Sequence, residues 1–166
     1  MVLNQALTDQ SSTAKHTVGQ RYYDPATGKE YIYVQDSGSA NAQYKACSIK
    51  YDFTTTLLTT SLANLGYPIG VPQIAVTASY YYWCLIKGTG TVHTASACAS
   101  EAQLYTTGTA GRIDDARTGA LAPISGIVLT ATAATAVASA NAACLLDHPK
   151  VVIDALTFSY LVSHTG

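Results

Sequence analysis

The chain has 166 residues, 11% of them charged, and a formal net charge of −1 at pH 7. This length suits one domain with a hydrophobic core, and the absence of a basic cluster argues against nucleic-acid binding by a charged patch. No apolar run approaches the ~20 residues of a membrane span. Residues 1–20 lack the basic start and long apolar core of a secretory signal, so we expect a protein made and used without export.

The scarcity of charge is unusual, since roughly a quarter of the residues in an average soluble domain are charged. Two long blocks, 53–86 and 118–146, carry no charged residue at all. Charge keeps monomers soluble and protects exposed strand edges. We therefore expect other subunits to cover much of the surface. The alternative is a monomer whose surface is made of Thr, Ser, Gln and Asn.

The N-terminal residues 1–19 are polar and contain few apolar positions. They predict a flexible arm that a neighbouring subunit orders, or a plain frayed terminus. On this interpretation, removal of residues 1–18 leaves the rest of the domain folded. Residues 21–35 then predict a β-hairpin, because Asp24, Pro25 and Gly28 form a turn between segments rich in Tyr, Ile and Val.

The next stretch is less regular. Residues 37–47 fit either a helical turn or a loop, 48–53 begin as a possible strand, and 54–65 fit an extended arm or a strand. Residues 66–72 predict a rigid connector, since two prolines remove backbone donors and two glycines free the backbone.

Strand signals dominate from residue 73 onward. The alternating pattern of 73–78 predicts a strand with one wet face, followed by a turn near 78–79 and a strand over 80–87. A second turn at 88–90 leads to a short strand ending at residue 95, and 104–114 predict a hairpin around 108–111.

The last third of the chain predicts two more strands, at 122–129 and 140–146, with a loop at 131–138. Pro149 is expected to end the final core strand, and 151–166 form a last strand or a second arm. These elements predict an all-β barrel or sandwich over residues 20–150, between an extended N-terminal arm (1–19) and a C-terminal strand or arm (151–166).

Catalytic and metal-binding patterns are missing from the sequence. The four histidines show no ligand spacing to each other or to a cysteine, and no nucleophile, phosphate-loop or dinucleotide motif occurs. The cysteines, 47, 84, 98 and 144, are far apart, which favours small buried hydrophobic residues over disulfides or a zinc site. We expect no enzyme activity, cofactor or metal.

The tyrosines carry the positive signal, with twelve Tyr against two Phe and one Trp. Tyrosine combines contact area with a polar tip, which suits interfaces. The candidate interface residues are the aromatic run and the charged end of the second hairpin: Tyr80, Tyr81, Tyr82, Trp83, Arg112, Asp114, Asp115 and Arg117. Asp114 and Asp115 are adjacent on a strand and point to opposite faces, which makes them a poor acid/base pair. We expect them to form hydrogen bonds to a neighbouring subunit or to the turn. A carbohydrate-binding platform and an ordinary aromatic core remain alternatives for the run.

The order of several segments carries a resemblance. GKEYIYVQ, GVPQIAVTASYYYWCLIKG, TVHTAS, AQLYTTGTAGRIDDA, ISGIVLTATA and ANAACLLDHP, spread over residues 28–149, resemble the capsid cement, or decoration, proteins of tailed bacteriophages with HK97-type capsids. The resemblance implies a small β-barrel or tulip-like β-sandwich with arms. It implies a structural virion protein, without catalytic residues, that binds the outside of the mature capsid.

The partners implied are the major capsid protein and further copies of the chain, as a homotrimer at three-fold positions. The location implied is the capsid surface of the virion, with synthesis in the host cytoplasm. Two other hypotheses stay open: a head-fibre or spike-base protein that binds host glycans, and a thiol- or carboxylate-dependent hydrolase.

Overall fold

The computed structural model describes residues 3–60, 66–117, 122–135 and 139–152, and it is all-β, as predicted. Across those ranges no helix is long and apolar enough to span a membrane. The strands are β1 (Gln10–Ser11), β2 (Arg21–Asp24), β3 (Lys29–Asp36), β4 (Cys47–Ile49), β5 (Thr54–Leu57), β6 (Ile69–Gly70), β7 (Tyr81–Ala95), β8 (Leu104–Thr106), β9 (Ile113–Asp114), β10 (Pro123–Leu129) and β11 (Ser139–Val151).

Five of these strands close into a barrel. The order runs β7, β11, β10, β8, β9 and back to β7, where the parallel pair Thr94 and Ile113 completes the ring. The other strands lie outside it: β3, β5, β4 and β6 extend the sheet from the first half of β7, β2 pairs with β3, and β1 pairs with β7. Closure removes the free edges of these five strands, which a chain with few charged residues has little means to protect.

The longest strand, β7, runs for 15 residues through the position where a turn was predicted. The prediction of a turn at 88–90 is wrong. The glycines lie where β7 stops pairing with β3 and continues beside β11. Lys87 pairs with Glu30 of β3 on one side and with Asp147 of β11 on the other. At Gly88 the φ angle is +99°, and a Cβ would lie 3.1 Å from the Lys29 backbone. Only glycine fits this crossing easily.

The first half of β7 is covered on both faces. One face, with Trp83 and Leu85, belongs to the main core, and the other, with Tyr82 and Cys84, belongs to a second core. This explains why residues 82–86 form an unbroken buried run in place of the usual alternation.

β11 continues past the proline that was predicted to end it. Ser125 pairs with Lys150 and Ile127 with Leu146, so three residues of β11 oppose the single residue Gly126. This bulge places Pro149 where the ladder needs no donor from it. The prediction of a stop before Pro149 is therefore wrong.

The N-terminal arm is not confirmed. Residues 3–19 lie against the barrel, with β1 paired to β7 and with Leu3, Leu7 and Val18 packed on the main core. Gln5 is buried, and its side chain is hydrogen-bonded to the Tyr33 hydroxyl and to the Tyr81 carbonyl. The segment is part of the domain in this structure.

The hairpins predicted at 21–35 and 104–114 are confirmed as β2–β3 and β8–β9. The strand predicted at 73–78 is wrong: this segment is irregular, and its backbone bonds to a loop through the Val76 amide and the Asn41 carbonyl at 2.8 Å. Val76 is buried in the second core, so the apolar alternation reflects capping of a core instead of strand pairing. Beyond Val152, the predicted C-terminal strand or arm lies outside the described residues.

Candidate interface

The aromatic run was predicted to present side chains for contact, and half of it does not. Tyr82 and Trp83 are fully buried, and the Trp83 ring lies 5.0 Å from that of Tyr33, centre to centre. An interface role for Tyr82 and Trp83 is wrong, because sheet or loop covers both faces of the strand. Tyr80 and Tyr81 remain partly exposed.

Tyr82 belongs to a buried polar network on the second core. Its hydroxyl lies 2.9 Å from Thr55 Oγ1 and accepts a hydrogen bond from Asn41 Nδ2 at 3.0 Å. Burial, followed by the nearby Cys47 and Cys84 thiols, raises the pKa of Tyr82 well above its ordinary value. The network fixes the orientation of the Tyr82 ring inside the fold, and no part of the ring is exposed to solvent.

The four charged candidates lie together around the β8–β9 hairpin. Asp115 Oδ2 accepts a hydrogen bond from the Ala99 amide at 2.8 Å, and Asp114 Oδ1 accepts one from the Ala116 amide at 3.2 Å. The Arg117 guanidinium lies 6.0 Å from the centre of the Tyr105 ring. Arg112 is half-buried. The two carboxylates thus stabilise the hairpin and its neighbouring loop, which is one of the two uses predicted for them.

The hairpin also brings a thiol to these carboxylates, which sequence spacing did not reveal. The Cys98 sulfur and carboxylate oxygens of Asp114 and Asp115 lie within 4.8 Å of one another. Burial, followed by the charge of Asp115, raises the pKa of Cys98 to about 12. A thiol that stays protonated is a poor nucleophile.

All four cysteines are buried and free, so the prediction of small buried hydrophobic residues is confirmed. The sulfurs of Cys47 and Cys84 lie 3.8 Å apart in the second core. Burial raises the pKa of Cys144 to about 12 as well. Thiolate formation at Cys98 and Cys144 is therefore disfavoured in the folded chain.

The outer surface of the barrel carries a feature that sequence reasoning missed. Val128 of β10 stands directly opposite Leu145 of β11, and these side chains are 44% and 47% exposed. Leu145 in turn opposes Thr89 of β7. The outward face of these strands also carries the charged pair Lys87 and Asp147, two residues on from Thr89 and Leu145. We call the uncharged stretch of this face the outer strip: Val128, Asn141, Ala143, Leu145, Thr89, Thr91 and His93.

The outer strip carries no carboxylate, ammonium or guanidinium group, although its ends are polar. At one end the Lys87 ammonium lies 3.7 Å from Asp147, and at the other the His93 Nδ1 lies 3.1 Å from Asn141 Oδ1. The signal was present in the sequence. Residues 139–146 alternate between inward Ala, Cys and Leu and outward Ser, Asn, Ala and Leu, and because both sets contain apolar residues, the sequence alone does not show which face is exposed to water.

No family model matches this chain, and no curated protein matches it in sequence.

Proposed function

We propose that this protein is a structural component of a tailed-bacteriophage virion. It binds the outside of the mature capsid, through contact with the major capsid protein, and stabilises the shell as a homotrimer at three-fold positions. The observation that carries the proposal is the outer strip, an uncharged stretch of sheet face with two opposed apolar side chains, bordered at one end by the Lys87–Asp147 ion pair. The resemblance of residues 28–149 to capsid cement proteins supports the same role.

The energetics of such a surface suit a contact with another protein. Covering the outer strip removes Val128 and Leu145 from water. None of the residues of the outer strip carries a carboxylate, ammonium or guanidinium group, so their burial avoids the desolvation penalty of a buried charge. Fully burying a Val or Leu side chain contributes about 1.5–3 kcal/mol, so covering the half of each that is still exposed contributes about 1 kcal/mol per residue. A three-fold assembly repeats one contact set three times, and the modest contributions add through avidity.

The alternative is a head-fibre or spike-base protein that binds host glycans, and Tyr23 and Tyr51 are exposed on the surface. It was motivated by the aromatic run, and Tyr82 and Trp83 of that run are buried. Stacking on a sugar ring requires an exposed aromatic face, so the observation that favoured a glycan platform is weakened.

The test is co-sedimentation with expanded capsids that lack the protein, followed by heating of the decorated shells. We expect saturable binding at a fixed ratio to the major capsid protein and greater resistance to heat. The double variant V128E/L145E should bind at least tenfold more weakly, because two buried carboxylates carry a large desolvation cost. The control Y23E changes an exposed residue of β2 outside the outer strip and should bind normally.

A folded wild-type protein that does not sediment with the capsids would overturn the shell-binding role. Normal binding by the double variant would leave the role intact but move the contact away from the outer strip. Circular dichroism of all variants shows whether lost binding reflects lost folding.

A further inference from the structure

A cavity of about 440 Å³ lies on the side of the β3–β7 sheet that carries Ile32 and Ile86. None of the outer-strip residues lines it. Its apolar lining consists of Ile32, Ile49, Phe53, Ile69 and Ile86, with Tyr51, Tyr67, Pro68 and Pro149 around them. Ligand sites for small molecules commonly have this size and this apolar character.

Basic groups dominate the polar part of the lining. Arg21, Lys50, His148 and Lys150 line the cavity, and among the lining residues that the structure describes none is acidic. Glu30 lies behind two of these groups, 3.2 Å from Arg21 and 3.1 Å from His148. Within the part of the chain that the structure describes, Lys50 and Lys150 form no ion pair, although the Asp52 carboxylate interacts electrostatically with Lys50 at longer range.

The backbone places these two lysines on either side of Pro68. The Ile49 amide donates to the Pro68 carbonyl at 2.8 Å, and Pro68 forms an antiparallel bridge with Lys150. Ile49, which directly precedes Lys50, therefore lies two strand spacings from Lys150, about 10 Å. A lysine ammonium on its four-carbon stem reaches far enough for both to approach one anion between them.

We propose that this cavity binds a small amphipathic carboxylate, in which an apolar chain or ring ends in one carboxyl group. The apolar part lies against the isoleucines and Phe53, and the carboxylate lies between Lys50 and Lys150. Charge complementarity supports this ligand class, since a cation would meet four basic groups and a neutral apolar molecule would leave both lysines unpaired. The inference stands apart from the proposed function and uses a different surface.

The test is a titration of the full chain with octanoate, followed by the methyl NMR signals of its isoleucines. We expect saturable shifts at Ile32, Ile49, Ile69 and Ile86 with one site per chain. Octan-1-ol and octyltrimethylammonium, which share the chain but not the carboxylate, should bind at least several-fold more weakly. The binding constant is compared at low and moderate salt, because exposed ion pairs weaken as salt increases.

Substitutions of the two lysines test whether binding depends on the carboxylate or only on apolar contact. K50M/K150M keeps the apolar stems and should bind octanoate about tenfold more weakly, as expected for two charge contacts near the surface. K15M is the matched control, since Lys15 is exposed and its backbone contacts Tyr33 on the opposite core. It should bind like the wild type. K50E/K150E should prefer octyltrimethylammonium to octanoate.

Three results of the affinity measurements would each overturn the inference. They are no saturable shift up to millimolar octanoate, equal affinity for octan-1-ol, and unchanged octanoate affinity in K50M/K150M. Shifts confined to residues near Val128 and Leu145 would also overturn it, because they would place the ligand on the outer strip.

Discussion

The hydroxyl of Tyr33, a fully buried residue of β3, donates a hydrogen bond to Oε1 of Gln5 at 2.8 Å. The same glutamine accepts a hydrogen bond through its backbone carbonyl from the Trp83 indole nitrogen at 3.2 Å. Its side-chain amide donates to the carbonyls of Asp9 and Tyr81. Gln5, which precedes β1 in the chain, therefore satisfies the polar atoms of two large core aromatics and joins the N-terminal segment to β7.

Replacing Gln5 with Ala should lower the free energy of unfolding by about 1–3 kcal/mol, because it leaves the buried Tyr33 hydroxyl without its acceptor. Urea unfolding followed by circular dichroism measures the change. Q43A is the matched control, since Gln43 is exposed and makes one bond, to the Gln73 carbonyl. It should change stability by less than about 0.5 kcal/mol. Equal effects of the two substitutions would contradict the role given to Gln5.

Deleting residues 1–18 should strongly destabilise the domain, which reverses the expectation for a detachable arm. The deletion uncovers the core around Leu3, Leu7 and Val18 and removes Gln5 with its four hydrogen bonds. We expect a loss of several kcal/mol, a large part of the 5–15 kcal/mol that stabilises a typical domain. Thermal unfolding of the truncated chain is the measurement. A melting temperature within a few degrees of the full chain would restore the arm interpretation.

Features that depend on neighbouring residues were predictable from the sequence. The β2–β3 hairpin follows from Asp24, whose carboxylate accepts the Ala26 amide at 3.1 Å, and from Gly28, whose φ of +69° suits the end of the turn. The β8–β9 hairpin and the strand β10 were predictable for similar reasons. In each case the turn chemistry and the strand pattern agree within a short stretch of chain.

Features that depend on distant parts of the chain were not predictable. The aromatic run predicts a strand correctly, yet whether Trp83 is exposed depends on residues 3–19, which lie far away in sequence and carry a polar composition. The glycines at 88 and 90 favour a turn by local chemistry, but β11 pairs with both of them and keeps the strand extended. The outer strip emerges only once β10, β11 and β7 are known to be neighbours.

The bulge in β11 gives a prediction about Gly126. Its φ is +78°, and a Cβ would lie 2.5 Å from the Asp147 carbonyl oxygen and 2.9 Å from the Pro149 Cα, both backbone atoms. G126A should therefore lower the free energy of unfolding by about 2–4 kcal/mol, through backbone strain and overpacking. The measurement is chemical denaturation.

Gly108 offers the matched control for this substitution. A Cβ there meets no atom within 4 Å, and its φ lies outside the left-handed region. G108A should be neutral or stabilise by up to about 1 kcal/mol, because Ala reduces the freedom of the unfolded chain. A G126A protein as stable as G108A would show that the bulge does not cross over Gly126 as the structure has it.

Alkaline pH gives the last prediction, through the buried thiols. Burial raises the pKa of both Cys98 and Cys144 from 9.0 to about 12, with the charge of Asp115 adding to the effect at Cys98. Between these values the unfolded chain loses protons that the folded chain retains, so the free energy of unfolding falls as pH rises from about 9 to 12. Below pH 9 both states keep the proton and this contribution is constant.

Unfolding in urea at several pH values between 8 and 11 measures the slope, and C144A isolates one thiol. The substitution lowers stability at neutral pH by leaving a small cavity, so the comparison concerns the slope of stability against pH. We expect a shallower decline above pH 9 in C144A than in the wild type, and a still shallower one in C98A/C144A. Parallel curves for all three proteins would show that these thiols ionise equally in the folded and unfolded chains and are not shielded by the barrel.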